Sequence, residues 1–207
     1  MGRLVVTAFM SIDGVVQAPG LADEDPDNGF TFGGWTQAYD DAAVTRLITR
    51  SVLAADALLL GRRTYEIFAS FWPTADPADP RTVRLNEQPK YVASSTLTDL
   101  RWNNSTRIEG NLAEIVRDLK TRHREISLWG STTVISQLLH ADLVDEFVLL
   151  VYPILLGPGK RLFDSTPRLS LHLTESTTYT SGVALHTYQR IPTVPGETSA
   201  KEVRPLR

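Results

Sequence analysis

Short apolar runs alternate along most of this chain with stretches whose pattern is helical. The apolar runs predict buried strands at 4–9, 57–60, 90–93, 126–129 and 146–152, and a weaker strand at 106–109. The stretches between them predict helices at 35–53, 64–71, 112–124 and 130–140. Near the end, two alternating segments at 169–177 and 183–190 predict an antiparallel pair that turns at Ser181 and Gly182.

Repeated strand–helix–strand units predict a three-layer α/β domain. Its central sheet would be mixed but mostly parallel, with the antiparallel hairpin at its C-terminal end. The segment 11–34, dense in Gly, Asp and Pro, predicts a long functional loop, and 72–89 predicts an irregular connection. The domain would occupy 1–191, and a polar tail with three prolines would follow at 192–207.

Composition narrows the classes of partner. The net charge is −3, from 21 Lys+Arg and 24 Asp+Glu. This argues against nucleic acid or a membrane surface as a partner, because both bind positively charged protein surfaces. No apolar stretch is long enough to span a membrane. The chain has no cysteine, which excludes disulfides and thiolate catalysis and is compatible with the cytoplasm, where we expect the protein. The four histidines lack metal-ligand spacing, so we predict no metal site.

Groups that suit an anion follow three of the predicted strands. In such sheets ligands bind at the carboxyl ends of the strands, and a helix that starts there offers free amide groups to a phosphate. Taken singly, each segment also has a plain explanation: a capped helix with solvated arginines, a hydroxyl-rich turn, or an ordinary N-cap. Because the pattern recurs three times, we predict a dinucleotide site with the candidate ligands Gly61, Arg62, Arg63, Thr64, Ser94, Ser95, Gly130, Ser131 and Thr132.

Three carboxylates are candidates for the substrate side. Asp13 follows the first strand, where it either forms an Asp-Gly turn or hydrogen-bonds a substrate. Asp40 and Asp41 lie beside the apolar stripe of the helix predicted at 35–53. There they would either favour the helix dipole or hold the N–H groups of a heterocycle and help to protonate it. The loop 17–34 is acidic, and if it covers the cleft it would repel phosphorylated substrates.

Four segments, in this order, resemble the dihydrofolate reductase-like fold and, more closely, the RibD-type C-terminal reductase domains of riboflavin biosynthesis. They are 7–14, with its Ser-Ile-Asp-Gly turn, 60–66, with Gly-Arg-Arg-Thr-Tyr-Glu, 129–132, with Trp-Gly-Ser-Thr, and 143–163. Together they extend over residues 3–190, so the resemblance covers nearly the whole chain. Each motif is moderately specific, but their ordered combination is a strong signal.

The resemblance implies an NADPH-dependent reductase of a small pteridine- or pyrimidine-like substrate, similar to 5-amino-6-(5-phosphoribosylamino)uracil reductase and dihydrofolate reductase. A homodimer is a family-level expectation. Arg62 and Thr64 would contact the adenosine-side phosphates, Ser94 and Ser95 the ribose phosphate, and 130–132 the pyrophosphate. Ala8, Phe9 and Gly157 would flank the nicotinamide, while Asp13, Asp40 and Asp41 would face the substrate. The alternative is a dinucleotide- or pterin-binding module without turnover. No zinc deaminase domain, which the bifunctional riboflavin enzyme would carry, is evident in the sequence.

Overall fold

The computed structural model describes residues 1–191, so the predicted tail at 192–207 lies outside the described residues. Five α-helices are present, namely α1 (Ala42–Ala54), α2 (Arg62–Phe71), α3 (Pro80–Glu87), α4 (Leu112–Arg122) and α5 (Thr132–His140). The strands are β1 (Arg3–Ser11), β2 (Ala57–Gly61), β3 (Lys90–Ala93), β4 (Ser105–Ile108), β5 (Glu125–Leu128), β6 (Glu146–Tyr152), β7 (Leu171–Thr178) and β8 (Ala184–Arg190).

All eight strands form one sheet, in the order β4-β3-β2-β5-β1-β6-β8-β7. The first six run parallel, β8 runs antiparallel to β6, and β7 runs antiparallel to β8. The mixed sheet with an antiparallel C-terminal pair is therefore confirmed. The central strand β2 is a continuous apolar run that is buried at every residue, because helices cover both faces of the sheet.

Alternate residues of the central strands supply the cores on the two faces of the sheet. Leu4 and Val6 of β1 pack in a cluster with residues of α4 and α5, while Val5 packs in a second cluster with residues of α1. A third cluster joins the end of α1 to α2, α3 and the other face of β2. The helices therefore lie on both sides of the sheet, as the three-layer prediction requires.

The first helix begins later than predicted. Residues 35–41 form turns and a short 3-10 helix, and α1 starts only at Ala42. Asp41 adopts an extended conformation and its side chain accepts a hydrogen bond from the backbone N–H of Ala43, which fixes the helix start. Trp35, which looked like the first apolar residue of the helix, is buried from the loop instead, and its indole N–H donates to the carbonyl of Gln17.

The prediction that 72–89 is irregular was wrong for its second half, which forms α3. Asp79 caps this helix by accepting from the backbone N–H of Arg81, and Pro80 occupies the first helical position, where a missing N–H costs nothing. Leu85 is buried in the third cluster and holds the helix against the sheet. The density of Pro and Asp marked the cap of a helix here.

The loop after β1 and the loop after β6, which are far apart in sequence, pair with each other at the carboxyl edge of the sheet. Val15 and Arg161 form an isolated antiparallel bridge, flanked by hydrogen bonds from Val16 N–H to the carbonyl of Lys160 and from Leu162 N–H to that of Gly14. The loop after β1 and the loop after β6 are thereby joined at the carboxyl ends of their strands. These joined loops form one rim of the cleft described next.

Candidate active site

A cleft of about 660 Å³ opens at the carboxyl ends of β1, β5 and β6. We call it the apolar cleft, because most of its wall comes from side chains such as Phe9, Ile48, Phe68, Trp129 and Tyr152. A second depression, which we call the polar groove, lies beside it and is lined by Arg62, Ser94–Thr96, Arg107 and 131–133, among others. Arg63, Ser131, Thr132 and Lys160 line both, so the two are continuous.

The polar groove brings together all three strand ends that sequence reasoning selected. Arg62 comes from the start of α2, Ser94 and Ser95 follow β3, and Ser131 and Thr132 precede or begin α5. The hydroxyl oxygen of Ser94 accepts hydrogen bonds from the backbone N–H groups of residues 96 and 97, whereas Ser95 is exposed. The sequence did not single out Arg107, whose guanidinium donates to the carbonyl of Leu97. This cation lies on β4, outside any glycine or hydroxyl motif.

Two glycines let the turns after β2 and β5 touch. Gly61 donates its N–H to the carbonyl of Gly130 at 3.1 Å, and the peptide bond from Gly130 to Ser131 is cis. Gly130 has a φ of +130°, and a Cβ there would lie 2.8 Å from Oγ1 of Thr64. A Cβ on Gly61 would lie 2.6 Å from Oγ of Ser131. The close approach of the two turns therefore depends on both glycines.

An ion-pair network lies where the apolar cleft meets the polar groove. Nη2 of Arg63 lies 2.6 Å from Oδ1 of Asp27, and Nζ of Lys160 lies 2.6 Å from Asp25 and 2.8 Å from Asp27. The hydrogen bond from Lys160 is the main cause that lowers the pKa of Asp27. The acidic loop thus does reach the cleft, and it neutralises Arg63, which the sequence suggested as a free phosphate ligand.

Asp13 does not line either cavity, contrary to its expected place beside the substrate. Its carboxylate accepts from the hydroxyl of Ser11 at 2.7 Å and from the backbone N–H groups of Leu156 and Gly157 at 3.1 and 2.7 Å. These bonds, led by that from Ser11, lower its pKa to about 2. Gly157 likewise lies outside both linings, with a φ of +77° in the turn that Asp13 holds. In this structure the pair anchors a loop.

Asp40 and Asp41 both line the apolar cleft. Asp41 is engaged by the N–H of Ala43, by the hydroxyl of Thr180 at 2.8 Å and by the N–H of Ser181, and these bonds lower its pKa to about 2. Asp40 is exposed, and its side chain makes no hydrogen bond within residues 1–191. Of the two, Asp40 has the freer acceptor oxygens.

Aromatic side chains build the inner wall of the apolar cleft. The ring of Phe9 lies 6.0 Å from that of Trp129 and 6.1 Å from that of Tyr152, and Ala8 lines the cleft beside it. Burial raises the pKa of Tyr152 to about 12, so its hydroxyl stays protonated at neutral pH. Sequence reasoning selected Ala8 and Phe9 but missed Trp129 as a wall residue and Tyr152, because both read as ordinary strand residues.

A family model described as the RibD C-terminal domain matches residues 3–185 of this chain. The chain belongs to that family. It is similar to the uncharacterized protein YyaP of Bacillus subtilis, with 28% identity over 197 residues that cover 90% of this chain and 94% of YyaP. The family resemblance expected from the sequence is thereby confirmed.

Solved structures establish the fold. One is a putative riboflavin biosynthesis protein from Shewanella sp. PV-4, 24% identical, with a TM-score of 0.66 over 92% of this chain and 99% of that one. Another is a dihydrofolate reductase from Enterococcus faecalis complexed with NADP(H) and RAB-propyl, 14% identical, with a TM-score of 0.59 over 91% of this chain and 96% of that one. The domain therefore has the dihydrofolate reductase-like fold.

The described residues contain neither a membrane-spanning helix nor a metal-binding cluster. No helix within 1–191 is long and apolar enough to cross a membrane. Over the same residues, no group of three or more His, Asp and Glu side chains is arranged to hold a metal ion.

Proposed function

We propose that this protein is an NADPH-dependent reductase of a small pteridine- or pyrimidine-like heterocycle. The observation that carries the proposal is the continuity of the polar groove with the apolar cleft. An extended ligand with a charged half and a flat, uncharged half would fit such a cavity. Family membership and the NADP(H) held by the Enterococcus faecalis dihydrofolate reductase support the same cofactor.

The groove has the donors that a phosphorylated dinucleotide requires. Arg62 and Arg107 supply guanidinium groups, which bind phosphates through paired N–H donors. Each also pairs with one exposed carboxylate, Arg62 with Glu66 and Arg107 with Glu109, and exposed pairs of this kind are weak. Ser95 and Thr132 add hydroxyls. The turn at Gly130 provides a place where backbone can approach a pyrophosphate, since a side chain there would collide with Thr64. The residues present therefore fit the cofactor.

When bound, the cofactor would supply a hydride to a C=N or C=O bond of the substrate. The chain's own residues would position the flat rings and exclude water, through Phe9, Trp129 and Tyr152 on the inner wall. Asp40 offers free carboxylate oxygens to ring N–H groups at the mouth of the cleft, and the hydroxyl of Tyr152 remains a donor at neutral pH. Asp13 would act at a distance, by holding the loop at 156–157.

Titration with NADPH and NADH, followed by quenching of tryptophan fluorescence, tests the cofactor. We expect NADPH to bind at least about tenfold more tightly, because hydrogen bonds to charged groups contribute about 1.5–3 kcal/mol each. The variant Arg62→Gln should lose this preference and leave NADH affinity nearly unchanged. Glu66→Gln is the matched control, because it removes the Arg62–Glu66 ion pair and keeps the arginine.

The outcomes separate the alternatives. Equal affinity of the native protein for both cofactors would contradict the preference for the phosphorylated form. No binding of either would overturn the proposal altogether. Tight NADPH binding without oxidation by any pteridine or pyrimidine in a broad panel would favour the alternative, a binding module without turnover.

A further inference from the structure

We propose that the substrate held in the apolar cleft is an uncharged aromatic heterocycle that bears an apolar substituent and carries no phosphate or carboxylate. This inference rests on the proposed function, because it assigns the substrate class to the same site. It also departs from the phosphorylated uracil that the family resemblance alone would suggest.

One region of the apolar cleft, which we call its apolar end, is built from apolar side chains on three helices, most of which belong to the third cluster. Ile48 and Val52 come from α1, Ile67 and Phe68 from α2, and Leu85 from α3, with Trp72 between the last two helices. Burying apolar area away from water favours binding. A polar or charged substituent placed here would lose its hydration without gaining partners. An aryl or alkyl group would fill the same space favourably.

Each cation that lines the apolar cleft is already paired with a carboxylate of the described chain. Arg63 and Lys160 belong to the network with Asp25 and Asp27. The remaining cation is Arg81, the only one near the apolar end within residues 1–191.

Arg81 is held by Asp79 in a fork. Its Nε lies 2.9–3.0 Å from both carboxylate oxygens and its Nη2 lies 2.6 Å from Oδ2. The guanidinium also lies 5.9 Å from the centre of the Trp72 ring. Because its guanidinium is paired with one carboxylate and lies over an aromatic ring, Arg81 provides little net positive charge to attract an anionic substrate.

Carboxylates outnumber cations in the cleft lining. Glu24, Asp25, Asp40 and Asp41 line it, against Arg63, Arg81 and Lys160. A dianionic phosphate would therefore enter a site whose cations are neutralised and whose mouth carries free negative charge at Asp40. The charge distribution disfavours a phosphorylated substrate and leaves an uncharged one unaffected.

Asp79 then determines specificity by neutralising Arg81. Asp79→Asn keeps the helix cap, because an asparagine oxygen can accept the N–H of residue 81 as well as a carboxylate does. It removes the negative charge and so frees Arg81 for an anionic ligand. Asp118→Asn is the matched control, since it removes the partner of Arg122 on the surface of α4.

The probes are 6-phenylpterin and its derivative with a phosphonate on the phenyl ring, each titrated by calorimetry with and without saturating NADPH. We expect the native protein and Asp118→Asn to bind the uncharged pterin at least about tenfold more tightly than the phosphonate. In Asp79→Asn the phosphonate should gain about tenfold and the uncharged pterin should change little, a difference of about 1.4 kcal/mol.

Equal or tighter binding of the phosphonate by the native protein would overturn the inference, and so would a failure of both pterins to bind. If Asp79→Asn kept the native preference for the uncharged pterin over the phosphonate, Asp79 would not be the cause of that preference. If that variant fails to fold, Thr45→Arg puts a cation at an exposed cleft position on α1 and should favour the phosphonate, with Thr45→Gln as the uncharged control. Failure of NADPH to bind would count against the proposed function, while the titrations without NADPH would still test the cleft.

Discussion

Replacement of Asp13 by asparagine tests whether this residue positions a loop or acts on substrate. The change preserves the shape of the side chain but converts one carboxylate oxygen into an N–H donor. Oδ2 accepts the N–H of Gly157, while Oδ1 accepts from Ser11 and Leu156. An asparagine can keep the bonds at Oδ1, but the N–H of Gly157 would then face another donor. The loop after β6 should lose part of its anchor.

The size of the effect follows from the pKa. The hydrogen bonds lower the pKa of Asp13 from 3.8 to about 2, and each pKa unit corresponds to 1.36 kcal/mol, which gives an upper bound of about 2.5 kcal/mol. The side chain is 21% exposed at the surface, so solvent screening reduces the expected loss to about 1 kcal/mol. For a chain of this size that loss lowers the Tm by about 2–4 °C.

The stabilisation should depend on pH in a defined direction. A carboxyl group whose pKa is lowered by folding stabilises the protein above its unfolded-state pKa of 3.8, and this contribution is lost as the pH falls towards about 2. Urea denaturation should therefore separate Asp13→Asn from the native protein near neutral pH and bring them together at about pH 2. Asp99→Asn, which breaks the exposed pair with Arg101, should change stability by less than about 0.5 kcal/mol.

The reasoning would be refuted if Asp13→Asn unfolded at the native urea midpoint at neutral pH. If the same variant also lost NADPH oxidation while still binding NADPH, Asp13 would act on the substrate, as the sequence first suggested. A loss of stability with only a modest fall in turnover would support its positioning of the loop.

Two further changes probe packing. Gly130→Ala should lower the free energy of unfolding by about 1–3 kcal/mol and weaken NADPH binding, because of its φ and the contact with Thr64. The control Gly29→Ala, with a φ of +72° and no atom within 4 Å of the added Cβ, lies outside both cavities and should show only the backbone effect in urea denaturation, with unchanged NADPH titration. Lys90→Met should lower the free energy of unfolding by about 2–4 kcal/mol, because the fully buried ammonium donates to three carbonyls and lies 4.4 Å from the Trp102 ring. Urea denaturation measures this loss, and an unfolding midpoint equal to that of the native protein would contradict it.

The buried parallel strands were predictable because their apolar runs reflect burial on both faces of a sheet. The order of the strands in the sheet was not predictable, because the sequence of a single strand does not indicate which strands pair with it. For example, β1 lies between β5 and β6, which are more than a hundred residues away in the chain. The antiparallel partnership of β7 and β8 was easier, because a glycine turn joins them directly. Local pattern thus predicts elements, while long-range pairing decides their arrangement.

The missed helix α3 shows how a local signal can be misread. Pro and Asp are frequent in irregular connections, and 72–89 has four prolines and two aspartates. In the structure Asp79 and Pro80 are a helix cap and a first-turn residue, and burial of Leu85 supplies the remaining stability. Tertiary packing against the sheet therefore stabilises a helix where the local pattern predicted an irregular connection.

The candidate site was predictable where it depends on strand ends, at Arg62, Ser95 and Gly130. It was not predictable where it depends on pairs of distant charges. Lys160 and Asp25 are 135 residues apart, and only the fold brings them to 2.6 Å. The sequence showed an acidic loop and an arginine near a phosphate site, but it could not show that each would neutralise the other.

The joined loops at Val15 and Arg161 have a consequence for how the protein folds. Contacts between segments this distant form late and slowly, because the intervening chain must first be ordered. A nascent chain that has emerged only as far as α5 would carry the glycine turns at 61 and 130 but would lack the rim that closes over them. Ligand recognition should therefore arise only after β6 has docked beside β1, so NADPH would report completed folding and would not assist its early stages.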